Sequence, residues 1–475
     1  MYAGGSYVSR YCNEYFRKKK RLETGKKLLA GLMSVCLLGS AAAMAHTISI
    51  TDVIDTPSKT TEECLGSGLG VLPAETFLTE EISDKAAGMD MLIEHFKTPV
   101  IFIDAGHGGE DGGCSRDGIY EKTINLEIAL RVQEKLLSLG YEVIMSREND
   151  VYMTKEERVR LANDSHASLY ISIHQNASED ASVNGMEVWY DGTDETRDNK
   201  RLAQLIGQQT ARNAGAAERE LRGNAEFHVT GSTKMPACLI ETGFLSNAAE
   251  RGKLITPEYQ EQLAEGIVNG VAYYFHPKTM YLTFDDGPSE ENTTRILDIL
   301  KARGIKATFF LIGENVEKYP EMARRIVAEG HTIGIHCNIH NYNTLYQSVD
   351  SYLEDFEKAH QIVYEVTGVD TKLFRFPGGS VNAYNKKINE AIIDEMTQRG
   401  YIYYDWNASL EDAAKGVTPD RLIQNAMEST LNRKKIIMLA HDVVYNTSLC
   451  LNDLLDSFPE YAMKPLDETV APVQF

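Results

Sequence analysis

The sequence lacks the features that define several common protein classes. Its seven cysteines include no Cys-x-x-Cys pair, which excludes the usual zinc-finger spacing, and an odd number cannot pair completely within one chain. A surplus of positive charge is also missing, since 48 Lys and Arg stand against 69 Asp and Glu, for a net charge of −21. Because phosphate binding requires a basic surface, this balance argues against a nucleic-acid enzyme.

The length and composition indicate a large globular protein. A chain of 475 residues is long enough for two or three domains. Its hydrophobic content of 43% is ordinary, and a core of this size needs no disulfide framework for stability.

One long apolar run lies near the N-terminus. Residues 28–45 follow a basic segment and end in Ala43-Met44-Ala45, as in a secretory signal. At about 18 residues the run is also long enough for a marginal membrane span, with its basic side in the cytoplasm. We therefore predict export, with residues 1–45 acting as a signal peptide or as a membrane anchor. The sequence leaves both alternatives open.

The rest of the chain divides into a linker and two α/β domains. Residues 46–97 are polar and rich in Thr and Glu, which is typical of a linker. Over residues 98–276, strand candidates alternate with helical stretches and predict an open, mostly parallel sheet with flanking helices. A second alternation over residues 277–475 has six strand candidates and predicts a distorted (β/α) barrel.

Candidate catalytic residues of the first domain follow its predicted strands. His107 lies in a Gly-rich turn, His174 ends a second strand, and Glu241 ends a third. With Glu121, the two imidazoles form a ligand set that suits zinc and leaves a fourth position for water. Glu241 is then the candidate general base. Taken singly, these residues are weak signals, since a histidine at a strand end is often structural and Glu121 could simply favour the start of a helix.

The second domain carries adjacent carboxylates at the end of its first strand. Asp285 and Asp286 cannot easily share one role, so one is expected to bind a metal and the other to act as base. His336 and His340 are four residues apart and would share one face if the segment were helical. However, Asp-Asp-Gly-Pro is also an ordinary turn sequence, and His pairs at this spacing occur by chance.

Two further residues complete this candidate site. His441 follows another apolar strand and could protonate a departing amine. Arg375 could pair with Asp285 and hold it ionised.

The motifs of the first domain occur in an order that resembles a known family. DAGHGG, EKTINL, ERVRLAN, SIHQNA and PACLIETGFLSN follow one another, as in the zinc-dependent N-acetylmuramoyl-L-alanine amidases of bacterial cell walls. The resemblance implies His107, Glu121 and His174 as zinc ligands and Glu241 as the catalytic carboxylate. It also implies cleavage of the amide between the muramic lactyl group and the stem peptide.

This domain departs from the family pattern in two places. FHVTGSTKM precedes Pro236 where the family usually has a leucine and a basic residue, so substrate contacts there differ. The stretch after His174 is too short for the inhibitory helix of some relatives. We therefore predict a first site that is constitutively open.

The second domain resembles the NodB-homology polysaccharide deacetylases, which remove N-acetyl groups from amino sugars. TFDDGP, HCNIH, RFPGG, YDWNASLED and LAHD correspond to the five motifs of that family. The resemblance implies Asp286, His336 and His340 as metal ligands. It implies Asp285 as the base, Arg375 as the support of that base and His441 as the acid. Two positions are expected to face the substrate: Gly378 as backbone oxyanion donor and Trp406 in the sugar cleft. Either Asp405 or Asp412 is expected to orient His441, with Asp412 favoured.

These features together predict an exported bifunctional enzyme that acts on peptidoglycan strands and stem peptides. The expected cofactors are Zn²⁺ in the first domain and a divalent metal in the second, Zn²⁺ before Co²⁺ or Mn²⁺. The predicted location is the cell wall or the outer face of the membrane, with the N-terminal segment as membrane contact if it is not cleaved. No nucleic acid and no obligate protein partner is expected.

Three alternatives concern the substrate and the combination of activities. The deacetylase could act on another acetylated glycan, or one domain could be degenerate and only bind the wall. The two reactions could also be sequential, because removal of the peptide and then of the acetyl group from muramic acid gives the precursor of a muramic lactam.

Overall fold

The computed structural model describes residues 98–224, 227–431 and 433–475. The predicted signal or anchor over 1–45 and the predicted linker over 46–97 lie outside these ranges. Among the helices in the described part of the chain, none combines the length and apolar character needed to cross a membrane.

The first half of the described chain is built on a six-stranded sheet. The strands of this half are β1 (Val100–Ala105), β2 (Ser115–Arg116), β3 (Ile119–Tyr120), β4 (Glu142–Met145), β5 (Leu169–Asn176), β6 (Glu187–Tyr190), β7 (Arg222–Gly223) and β8 (Ala237–Phe244). The helices are α1 (Glu121–Ser138), α2 (Lys155–Asp164), α3 (Asn199–Ala214), α4 (His228–Gly231), α5 (Ala248–Leu254) and α6 (Pro257–Phe275). The order in the sheet is β4-β1-β5-β8-β6-β7, and β4, β1, β5 and β8 are mutually parallel whereas β6 runs antiparallel to β8.

Local sequence explains these elements well. β1 and the first part of β5, LYISI, are mostly apolar, as expected for parallel strands that helices cover on both faces, and the residues of both strands are largely buried. Helix α2 begins with a capping box between Thr154 and Glu157, and α6 begins with Thr256 as N-cap followed by Pro257. The prediction of an open, mostly parallel sheet with flanking helices is confirmed.

The second half of the chain is built on an eight-stranded sheet in which every pair is parallel. The strands are β9 (Lys278–Asp285), β10 (Thr308–Ile312), β11 (Thr332–Cys337), β12 (Leu373–Phe374), β13 (Ile402–Tyr403), β14 (Ala408–Ser409), β15 (Lys435–His441) and β16 (Tyr461–Lys464). The helices are α7 (Asn292–Ala302), α8 (Gly313–Lys318), α9 (Pro320–Ala328), α10 (Tyr342–Leu345), α11 (Val349–Thr367), α12 (Asn389–Gln398), α13 (Pro419–Thr430) and α14 (Tyr445–Asp456). The order in the sheet is β13-β12-β11-β10-β9-β15-β14, and β16 pairs with the first half of β9.

This sheet curls into an open half-barrel, which agrees with the predicted distorted barrel. Its core includes a row of buried aromatic residues, such as Phe284 stacked on Phe309 with ring centroids 5.1 Å apart. Helix α9 begins at Pro320, two residues after α8 ends at Lys318, as expected for proline at the first position of a helix.

The two halves meet at the N-terminal end of β9. The Lys278 backbone N–H donates to the Glu460 carbonyl at 2.8 Å, and the Glu460 side chain lies 3.5 Å from Arg212 on α3. Lys200, also on α3, lies 3.0 Å from Asp456 at the end of α14. The end of β9 that lies next to α3 is therefore its N-terminal end. His441 and Asp285 lie at the opposite, C-terminal ends of their strands.

Helices α3 and α6 are in close contact at Gly266. A Cβ at this position would lie 2.3 Å from Thr210 Cα and 2.8 Å from the Gln209 carbonyl oxygen. We expect Gly266→Ala to lower the free energy of unfolding by about 1–3 kcal/mol, because the two helix backbones must separate. Urea unfolding followed by circular dichroism would measure the change.

Gly252 in α5 is the matched control. A Cβ there would contact nothing within 4 Å, so Gly252→Ala should stabilise the protein by about 0.5–1 kcal/mol through helix propensity. Equal effects of the two substitutions would contradict this account of the helix contact.

Candidate active sites

The first candidate site lies at the C-terminal ends of β1, β5 and β8. One ligand atom from each of His107, Glu121 and His174 lies within 4.8 Å of the others, so the three could hold a metal ion. Glu121 Oε1 is 3.2 Å from His107 Nε2 and 2.9 Å from His174 Nδ1. The structure thus brings together all three predicted ligands, although 67 residues separate the first from the last.

Two glycines make room for this cluster. A Cβ at Gly106 would lie 2.2 Å from the His174 imidazole, and a Cβ at Gly113 would lie 2.5 Å from Glu121 Oε2. Gly113 also has a φ of 66°, which favours glycine. Close packing around the ligands therefore favours glycine at Gly106 in the first motif and at Gly113 after it.

Asp111 is a functional residue that the sequence reasoning missed. Its Oδ2 lies 2.8 Å from His107 Nδ1, so it fixes the imidazole ring with Nε2 towards Glu121. A carboxylate behind a histidine is the usual way in which a metal ligand is oriented. The sequence signal is an aspartate four residues after the histidine, inside the same turn.

Charges around the cluster set the pKa values of its carboxylates. Burial tends to raise the pKa of Glu121, but hydrogen bonds from His107 and His174 outweigh it and hold that pKa well below its usual range. For Glu241, burial is the main cause and the charges of Glu121 and Glu187 add to it, so its pKa is raised well above the usual range. Glu241 Oε2 is buried and has no hydrogen-bond partner in the described part of the chain.

The second candidate site lies at the C-terminal ends of β9 and β11. Asp286, His336 and His340 also place one ligand atom each within 4.8 Å of the others. Asp286 Oδ1 lies 3.3 Å from His336 Nε2 and 3.5 Å from His340 Nε2. His336 donates from Nδ1 to the Arg375 carbonyl at 2.9 Å, which leaves Nε2 free to act as a ligand.

The spacing of these two histidines does not arise from a helix. His336 lies near the end of β11, and His340 follows in the bend after that strand. The condition for a shared helical face is not met, because the apolar run Thr332–Cys337 pairs with β10 as a strand. The bend brings the second ring back, with the two ring centroids 5.4 Å apart.

A fully buried arginine supports Asp285. Arg375 Nη1 donates to Asp285 Oδ1 at 2.8 Å and to Thr283 Oγ1 at 2.7 Å, and Nε donates to the Tyr404 carbonyl at 2.7 Å. Its guanidinium also lies 4.4 Å from the centre of the Phe310 ring. Because several partners fix the arginine, it holds a positive charge at a set position against Asp285.

Asp412, and not Asp405, contacts His441. Asp412 Oδ1 lies 2.7 Å from His441 Nδ1, and Oδ2 accepts the His441 backbone N–H at 2.8 Å. Burial opposes a charge on this ring, but the Asp412 carboxylate raises the pKa of His441 to about 9. Asp405 instead accepts the Ser380 hydroxyl at 2.5 Å and the Phe475 backbone N–H at 2.9 Å.

Gly378 and Trp406 are the two positions that were predicted to face the substrate. Gly378 has a φ of 75°, and a Cβ there would lie 3.1 Å from the Tyr342 hydroxyl, so the position favours glycine. Trp406 lies edge-on to Phe475 with ring centroids 5.3 Å apart, and the Arg375 guanidinium is 5.7 Å from its ring.

Asp442 is a second residue that sequence reasoning missed. It is fully buried behind the loop of Asp285 and Asp286, where Oδ2 accepts the Thr293 hydroxyl at 2.6 Å. A Cβ at Gly287 would lie 2.1 Å from the Asp442 carboxyl group. Burial raises the pKa of Asp442 to about 7, and the charge of Asp286 adds to that effect. The only sequence signal is its position directly after His441.

Comparison with known proteins agrees with the two candidate sites. A family model described as N-acetylmuramoyl-L-alanine amidase matches residues 101–273, and one described as polysaccharide deacetylase matches residues 273–399. The chain thus combines two hydrolase domains of cell-wall enzyme families.

Three relatives from Bacillus subtilis (strain 168) illustrate the match. N-acetylmuramoyl-L-alanine amidase LytC is 39% identical over 42% of this chain, which covers 39% of LytC. The germination-specific N-acetylmuramoyl-L-alanine amidase is 35% identical over 38% of this chain and is covered to 81%. YheN, provisionally named a polysaccharide deacetylase, is 32% identical over 41% of this chain and is covered to 70%. The chain belongs to the N-acetylmuramoyl-L-alanine amidase family through its first half and to the polysaccharide deacetylase family through its second.

The contact between Asp412 and His441 leads to a prediction about pH. Asp412→Asn should lower the pKa of His441 from about 9 towards its usual value of 6.5. A histidine with a raised pKa stabilises the fold fully below pH 6.5 and loses that contribution as pH rises through about 9. The substitution should therefore reduce stability more at pH 6 than at pH 10, as measured by imidazole NMR titration and by urea unfolding at both values.

Asp405→Asn serves as the comparison variant, because Asp405 bonds to Ser380 and not to His441. A shift of the His441 titration in this variant, with none in Asp412→Asn, would reverse the assignment.

Proposed function

We propose that the chain is an exported, metal-dependent enzyme with two activities on peptidoglycan. The first domain, residues 98–276, would hydrolyse the amide between the muramic lactyl group and the stem peptide. The second, residues 277–475, would remove N-acetyl groups from amino sugars of the glycan strand. The observation that carries the proposal is the presence of two separate clusters of two histidines and one carboxylate, each beside a further carboxylate.

The donor sets fit the proposed metals. Two imidazoles and one carboxylate suit Zn²⁺ in the first site and Zn²⁺ or a similar divalent ion in the second. Asp286 Oδ1 is buried without a hydrogen-bond partner in the described part of the chain, as expected of an atom that awaits a cation. When bound, the metal would polarise the amide carbonyl and make water more acidic.

In the first site, Glu241 would carry the proton. Its unpaired Oε2 could accept a proton from the attacking water and return it to the amine of the departing alanine.

In the second site, two groups would divide the proton transfers. Asp285, which accepts a hydrogen bond from Arg375, would accept the proton of water. His441, whose pKa of about 9 keeps it protonated at neutral pH, would donate a proton to the departing sugar amine. Asp412 would orient the ring for that transfer.

Separate inactivation of the two sites tests the pair of activities. We expect Glu241→Gln to abolish new peptide N-termini but not acetate release from purified peptidoglycan, and Asp285→Asn to do the reverse. Each loss should exceed about 100-fold, because general acid–base catalysis contributes roughly 10²–10⁴ to the rate. The two variants are controls for each other, and loss of both products in either variant would contradict independent sites.

Metal content provides a test that does not depend on activity. The wild-type chain should bind two equivalents of Zn²⁺ by elemental analysis, and His174→Ala or His336→Ala should each remove one equivalent. A wild-type value of one would show that one domain lacks a metal site and favour a wall-binding role for it.

A further inference from the structure

A pair of arginines flanks the first site and is fixed by a buried carboxylate. Glu187 on β6 is 4% exposed and is the direct register partner of Glu241 on β8. Arg219 Nε lies 2.8 Å from Glu187 Oε1, and Arg222 Nη2 lies 3.2 Å from the same oxygen. Through Glu187, the two arginines are therefore held at β6, the strand next to β8, which carries Glu241.

The charges at this place do not balance. Glu187 supplies one negative charge for two guanidinium groups, and its other oxygen already accepts the Asn176 side-chain N–H at 3.0 Å. Glu187 thus neutralises one of the two guanidinium charges, while Glu218 and Glu220 lie beside Arg219 in the sequence of a chain with a net charge of −21. An anionic group of a substrate that approaches this chain would find local attraction there.

Both arginines are held in place and also open to solvent. Arg219 stacks on Phe244 at 5.5 Å and Arg222 stacks on Trp189 at 5.0 Å, measured from guanidinium carbon to ring centre. Their side chains are 35% and 42% exposed, whereas Glu187 is buried beneath them. Arg219 Nη1 donates to the Asn184 carbonyl at 3.2 Å. The guanidinium N–H groups that face neither Glu187 nor Asn184 can bind a carboxylate, with little side-chain entropy left to lose.

The distance from Glu241 matches the length of one or two peptide residues. Adjacent strands are about 4.8 Å apart, so the guanidinium groups beyond β6 lie on the order of 10 Å from Glu241. An extended peptide advances about 3.3–3.6 Å per residue. A carboxylate on the residue after the alanine would thus reach the arginine pair while the alanine amide lies at Glu241.

We propose that Arg219 and Arg222 form a carboxylate-binding subsite that selects stem peptides with an acidic second residue. This inference rests on the proposed amidase function of the first domain. It also gives a physical role to Glu187, which holds the two arginines in position without taking up all of their N–H donors.

Two synthetic substrates test the subsite directly. N-acetylmuramoyl dipeptides that begin with L-alanine would differ only in whether their second residue carries a carboxylate or the isosteric carboxamide. We expect the full-length zinc-loaded protein to cleave the carboxylate form with a kcat/KM about 10–100-fold higher, as charge-assisted hydrogen bonds imply. The difference should lie mainly in KM, because the subsite is remote from the cleaved bond.

Substitution of the arginines should remove this preference. In Arg222→Gln the ratio of the two kcat/KM values should fall towards 1, and Arg222→Lys should retain part of it, because lysine keeps the charge but not the planar fork. Arg219→Gln provides an independent variant should the first fold poorly. Arg131→Gln is the matched control, since Arg131 pairs with Glu261 on α6 and should leave the ratio unchanged.

The outcomes separate the subsite from the amidase function. Equal cleavage of both substrates by the wild type, or an unchanged ratio in both Gln variants, would overturn the subsite and leave the amidase function standing. Cleavage of neither substrate, by a protein shown to hold its zinc, would overturn the amidase function and the subsite with it.

Discussion

Burial of carboxylates close to one another is the constraint on which both sites depend. Each site brings two acidic groups close together: Glu121 at the start of α1 and Glu241 on β8 in the first, and Asp285 and Asp286 at the end of β9 in the second. Burial and mutual repulsion oppose the ionisation of such groups. The first site compensates Glu121 with two imidazoles and leaves Glu241 with its pKa raised. The second compensates Asp285 with the buried guanidinium of Arg375. The two proposed ligand sets are similar, but the negative charges of the carboxylates beside them are compensated in different ways.

That difference is accompanied by different surroundings of the second carboxylate in each site. Glu241 is buried, and its Oε2 has no hydrogen-bond partner in the described part of the chain. Asp285 accepts a hydrogen bond from Arg375, and His441 is its register partner on the neighbouring strand. Asp412 stabilises the protonated form of His441.

Much of this arrangement could be predicted from the sequence, and the failures have physical causes. Apolar runs with β-branched residues located the main strands, and motif residues at strand ends converge because parallel strands end at one edge of a sheet. The four-residue spacing of His336 and His340 left their local structure open, and pairing with β10 places the first of them on a strand. Asp111, Asp442 and Glu187 were missed because their roles come from contacts between separate segments, which spacing along the chain does not encode.

The contact between the two halves of the chain sets the distance of the second site from the first domain. Lys278 lies at the contact with α3, whereas Asp285 lies at the far end of the same strand. One strand length, about 23 Å at 3.3 Å per residue, therefore stands between the second site and the neighbouring domain. The second site thus lies at the end of its sheet that is turned away from α3. What the fusion provides is a high local concentration of each hydrolase domain around the other.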